Sequence, residues 1–202
     1  MYVLVTVPHG FCEKNPPQRM CDTRAASGVR LFTALLDQHG LDHKIIHCHV
    51  PRALVDVNRE KPTLVTIKNK NDLADAIKVW DKFNNRIAST IQQKKTESIF
   101  LVDVHSFPKG SFGQAQIAIL DILKQNRPEL QQLANQVRLD LGLNVQLLKG
   151  GTNYIQNQYQ ADAYPLLIEF CEDKTYLSDK ALKAFWKLLV EFYAGNNPLI
   201  ES

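Results

Sequence analysis

Apolar residues recur along the chain in two rhythms, short continuous runs and longer stretches that repeat every three to four residues. "YVLVTV" (2–7), "HKIIHCHV" (43–50), "SIFLVDV" (98–104), "NVQLLK" (144–149) and "PLLIEF" (165–170) are aliphatic or β-branched runs of strand length. Helical patterns lie between them. Residues 23–38 place Ala25, Val29, Phe32 and Leu36 on one stripe and stop at Gly40, and residues 72–93 do the same with Leu73, Ile77, Trp80, Asn84, Ile87 and Ile91. "RPELQQLANQVRLDL" (127–141) opens with Pro128 near its start, and "SDKALKAFWKLLVEFY" (178–193) is a closing amphipathic helix. "QIAILDI" (116–122) fits a strand or a helix equally well. Strands alternating with helices predict one α/β domain over residues 1–202 with a largely parallel sheet.

Composition narrows the class without changing the fold. With 202 residues, 45% of them hydrophobic and 22% charged, the chain can bury a sizeable core, so its four cysteines need not be staples. "MYVLVTV" lacks the basic leader and small-residue cleavage site of a signal peptide, and no apolar stretch reaches the ~18 residues of a membrane span. The expectation is a cytoplasmic protein with reduced thiols and no membrane partner. A net charge of +3 is spread along the chain with no basic-aromatic cluster, which argues against a nucleic-acid partner.

Chemistry enters at the strand ends, where ligands bind in open α/β sheets. His9 follows the first strand, His105 ends the run 98–104, and Glu169 stands late in an apolar run where an acid requires a reason. Two histidines at matching positions suggest one zinc ion, which in a catalytic site takes about three N or O ligands and keeps one position open. The third ligand is Asp22 or Glu13. Asp22 also reads as a helix N-cap, and Cys12 and Cys21 could instead join both histidines in a closed structural site. Asn58 and Arg59 present donors that fit a carboxylate, although on the residues alone a surface arginine paired with Asp56 or Glu60 is the favoured reading of Arg59. "GGTNY" (150–154) brings Gly151 and Tyr154 to a place where backbone can approach a substrate.

In order along the chain, "VPHG", "CDTRAA", "VDVNRE", "VDVHSFP", "KGGTNYI" and "LLIEFCED" resemble the N-formylglutamate amidohydrolase family, related in fold to zinc carboxypeptidases and aspartoacylase-like deacylases. The resemblance covers most of the chain. It implies a mixed, mostly parallel α/β sheet with helices on both faces, and one zinc per chain at the strand ends, held by His9, His105 and an acid between them. It further implies Asn58 and Arg59 as binders of a substrate carboxylate and Glu169 as the acid that handles protons. A glutamate follows the first histidine closely in the carboxypeptidase branch, which points to Glu13. An aspartate stands further on in the formylglutamate branch, which points to Asp22, the preferred ligand. The implied activity is hydrolysis of a C–N amide bond in a carboxylate-bearing small molecule or peptide, such as an N-formyl or N-acyl glutamate-like amino acid. Carboxypeptidase-like or γ-glutamyl peptide hydrolysis is the alternative, as is a metal-containing binding protein without turnover. His43, His47 and His49 share strand parity and form a rival metal-site candidate.

Overall fold

The computed structural model describes residues 1–12, 21–63, 67, 70–121, 127–149 and 153–195. Among these, the strands are β1 (Tyr2–Val7), β2 (His43–His47), β3 (Ile99–Phe107), β4 (Ile117–Asp121), β5 (Val145–Lys149) and β6 (Tyr164–Cys171). The helices are α1 (Ala25–Gln38), α2 (Lys70–Gln93), α3 (Pro128–Leu141), α4 (Tyr154–Tyr159) and α5 (Asp179–Gly195). One sheet runs in the order β2-β1-β3-β6-β4-β5. All neighbours are parallel except β4 and β6, so the sheet is mostly parallel, as the alternation of patterns predicts, and mixed, as the motif resemblance implies.

The period-two geometry of each strand divides its side chains between two cores. Val3, Val5 and Val7 of β1, Phe100, Val102 and Val104 of β3, and Leu166, Ile168 and Phe170 of β6 pack with α1, α3 and α5. The opposite face carries Tyr2, Leu4, Ile99 and Leu101 against Trp80, Phe83 and Ile87 of α2 and Ile155 and Tyr159 of α4. Along this second face the side chains turn polar towards the carboxyl ends. Leu4 gives way to Thr6, Leu101 to Asp103 and then His105, and Glu169 leaves β6 on the same side. Of these, Thr6 and Asp103 have no solvent exposure, so their polar atoms have to be satisfied by neighbouring protein groups.

The structure resolves Ile117–Asp121, within the ambiguous run, as strand β4 and adds α4, whose six residues are too short to show a helical repeat. It also joins Cys12 to Cys21 in a disulfide, with Cα atoms 5.4 Å apart across nine positions of sequence. That corrects the expectation of reduced thiols for this pair, whose Cα separation lies within bridging distance. Cys48 and Cys171 are free and buried. Among the described residues, no helix is long and apolar enough to cross a membrane.

Candidate metal centre

His9, Asp22 and His105 converge at the carboxyl edge of β1 and β3, all buried, with ligand-capable atoms within 4.8 Å of one another. Each arrives by a different local route. His9 stands two residues past β1, and Gly10 lets the chain turn tightly there, since a Cβ at that position would lie 2.6 Å from Val7 Cγ1. Asp22 is tied back to His9 by its backbone N–H, which donates to His9 O at 2.9 Å. Its side chain does not cap α1. The backbone N–H of Thr23 donates instead to Glu172 Oε1 and that of Arg24 to Ser106 Oγ, leaving the Asp22 carboxylate to the cluster.

Hydrogen bonding fixes which nitrogen each histidine presents. His9 Nε2 lies 2.7 Å from Asp56 Oδ1, and His105 Nε2 lies 3.0 Å from Asp103 Oδ2; a carboxylate only accepts, so both Nε2 atoms carry hydrogen. Both Nδ1 atoms then face Asp22 Oδ2, at 3.6 Å from His9 and 2.8 Å from His105. His9 Nδ1 is buried and has no hydrogen-bond partner. A buried lone pair without a donor beside a carboxylate is what a cation would complete. Metal-ligating histidines usually donate their far N–H to a carboxylate in this way.

Charge points the same way. Burial pushes the Asp22 carboxyl upward, but the hydrogen bond and charge of His105, with His9 close by, outweigh it and hold it well below the usual carboxylate range. At Asp103, too, burial raises the carboxyl, and His105, Thr6 and Asn153 more than offset it. Burial would lower the imidazole of His105, but Asp103 and Asp22 raise it well above its ordinary value. In the absence of a cation, then, a doubly protonated His105 serves both aspartates. A metal ion bound by Nδ1 would take the place of that proton.

Glu169 pairs in register with His105 on the neighbouring parallel strand, so both side chains leave the same face. It is partly buried, and burial raises its carboxyl while the charge of His105 opposes the rise. Arg59 is partly exposed beside the centre; its Nη1 donates to Asn58 O at 2.9 Å and its Nε lies 3.9 Å from Asp56 Oδ2. Arg52 holds Asp56 more closely, through Nε at 3.0 Å and Nη2 at 2.8 Å.

Asn58 has a different place from the one expected of a substrate binder. It is 1% exposed; its Nδ2 donates to Asp103 Oδ2 at 3.0 Å and its Oδ1 accepts from the backbone N–H of Ile155 at 3.1 Å. A side chain so committed supports the histidines rather than meeting a ligand. Tyr154 sets its ring edge-on against Trp80 at 5.2 Å. Glu13 and Gly151 lie outside the described residues. With Cys12 and Cys21 in a disulfide, neither offers a thiolate for a closed His-Cys-Cys-His site. His47 and His49 do lie together, ring centroids 5.7 Å apart, but His43 turns away and bonds Leu41 O.

Motif reading overlooked the roles of Asp56, Asp103, Thr6 and Asn153. The signal for Asp103 was present, because two residues in a strand separate side chains on one face, so Asp103 must share a side with His105.

No family model matches the chain, and no curated protein matches it. Solved structures do. A gene product of Agrobacterium tumefaciens superposes with a TM-score of 0.73 at 15% identity, over 99% of this chain and 92% of that one. N-formylglutamate amidohydrolase from Ralstonia eutropha JMP134 gives 0.68 at 10% identity, over 96% and 94%. Succinylglutamate desuccinylase from Chromobacterium violaceum gives 0.53 at 13% identity, over 98% and 61%. At these identities the shared property is the fold, and it is the fold that the motif resemblance implies.

Proposed function

We propose that the chain is a zinc-dependent hydrolase of a C–N amide bond in a carboxylate-bearing substrate, of the N-formyl or N-acyl glutamate type. The observation that carries this reading is the convergence of two histidine Nδ1 atoms on Asp22, each ring backed through Nε2 by its own aspartate. Two imidazole nitrogens and one carboxylate suit a catalytic zinc site with one open position. Two proteins of the same fold are, by name, an amidohydrolase of N-formylglutamate and a desuccinylase of succinylglutamate, both acylated glutamates.

Zinc, when bound, supplies a Lewis acid and lowers the pKa of bound water to about 7. The residues of the chain do the rest. His9, Asp22 and His105 hold the ion, and Asp56 and Asp103 keep the two rings in the tautomer that leaves Nδ1 free. Glu169 takes a proton from the attacking water and delivers it to the leaving amine, a task favoured by a carboxyl whose burial makes it a stronger base. Arg59, whose side chain is about half exposed, binds the substrate carboxylate. Metal analysis of purified protein, followed by a panel of N-formyl, N-acetyl and γ-glutamyl compounds, tests the reading. About one zinc per chain with turnover of an acylated amino acid supports it, and a chain that binds no metal overturns it.

Two substitutions test individual assignments. Asp22→Asn should weaken zinc binding by more than the roughly 10- to 100-fold typical of an outer-shell loss. Competition with a chromogenic chelator measures this. Unchanged affinity in Asp22→Asn, together with a loss in Glu13→Gln, would move the third ligand to Glu13. Arg59→Lys should raise KM for carboxylate-bearing substrates with little change in kcat, because a point charge cannot reproduce two parallel hydrogen bonds. Neutral amide analogues should not register the change, and an equal effect on both substrate classes would remove Arg59 from carboxylate binding.

A further inference from the structure

We propose that Asn153 is a positioning residue for the metal ligand His105, acting through the carboxylate of Asp103. The inference rests on the zinc reading above and deepens it. Asp103 has no solvent exposure, so its lone pairs must be met by the protein. Thr6 Oγ1 donates to Oδ1 at 2.5 Å; Asn153 Nδ2 at 2.7 Å, Asn58 Nδ2 at 3.0 Å and His105 Nε2 at 3.0 Å converge on Oδ2.

Both asparagines are engaged at their other end as well. Asn153 Oδ1 accepts from the backbone N–H of Gln156 at 2.8 Å, as the N-cap of α4, while Asn58 Oδ1 accepts from Ile155. Each amide has its oxygen held by the first turn of α4, so neither can flip, and both NH2 groups are obliged to face Asp103. Asp103 in turn holds the Nε2–H of His105 and thereby directs Nδ1 towards Asp22. The end of α4, the two amides, the carboxylate and the ligand imidazole form one hydrogen-bonded chain. Asn58 contributes backbone to it too, accepting at its carbonyl oxygen from Tyr154 N at 3.2 Å.

A simple cap and a positioning residue predict different results for Asn153→Asp. Aspartate caps a helix as well as asparagine does, so α4 keeps its N-cap. The variant nonetheless replaces a donor to Asp103 with a second carboxylate. Expected is a zinc dissociation constant roughly 10- to 100-fold higher by chelator competition, the usual effect of losing an outer-shell partner. At saturating zinc, kcat should fall more than KM rises. Thr6 provides a test that leaves α4 untouched. Thr6→Val, which removes the donor on the other oxygen, should also weaken zinc binding, and Thr6→Ser, which keeps the hydroxyl, should restore it. Wild-type zinc affinity in Asn153→Asp, or in Thr6→Val should the first variant not fold, overturns the inference alone, provided His105→Ala loses the metal. A wild-type chain that binds no zinc overturns the metal reading, and this inference with it.

Discussion

His105→Ala is expected to leave the purified protein without the roughly one zinc per chain of the wild type, and without turnover of any acylated amino acid. The residue is one of the three proposed ligands, and it is hydrogen-bonded to two aspartates, Asp22 through Nδ1 and Asp103 through Nε2. Its removal therefore subtracts a metal ligand and a bridge together. The fold should persist, because Val102 and Val104, which flank Asp103 in β3, still pack on the other face of the sheet. Stability should nevertheless drop by about 1–3 kcal/mol, the cost of leaving a buried acceptor unmet. Asp103 retains Thr6, Asn58 and Asn153, so the loss falls mainly on Asp22, which is left, among the described residues, facing the unprotonated Nδ1 of His9 at 3.6 Å. Metal content after dialysis and a thermal melt measure the two effects separately. Full retention of zinc in this variant would dispose of the proposed centre.

Much of this arrangement is legible in the amino-acid order. Apolar runs of strand length mark all six strands, one of them ambiguously, and strand parity alone places Asp103 beside His105. What the order cannot carry is direction and burial. The antiparallel pairing of β4 with β6 depends on which strand fills the gap beside β3, and β6 does so from more than fifty residues away. Asn58 shows the same limit in chemical terms. Next to Arg59 it reads as a donor to a ligand carboxylate, but the protein carboxylate of Asp103 takes that donor instead, and only the three-dimensional packing reveals it. Asp22 is the reverse case. Its position before a helix suggests a cap, yet Glu172, which is 150 residues further on, receives the Thr23 N–H and leaves Asp22 with the histidines. Long-range hydrogen bonds of this kind have no local signature.

Glu169→Gln should separate chemistry from binding. Glutamine keeps the shape of the side chain and its place opposite His105 in the register, so zinc affinity and KM should stay close to wild type. It can neither accept a proton from water nor return one to the leaving amine, and the expected loss is roughly 10²- to 10⁴-fold in kcat, the usual contribution of general acid-base catalysis. The pH profile offers an independent reading of the same residue. Burial raises the Glu169 carboxyl above its ordinary value, with Asp22 and Asp103 adding to the rise and His105 opposing it. Because the base must be ionised to act, kcat/KM should fall as pH drops through that raised value, at a pH above the ordinary glutamate range. That acid limb should vanish from the residual activity of Glu169→Gln. Retention of full turnover in this variant would take the proton-handling role from Glu169 and leave a metal centre whose base lies elsewhere. A kcat loss with the acid limb unchanged would instead assign the limb to protonation of the metal-binding histidines, which competes with the ion at Nδ1.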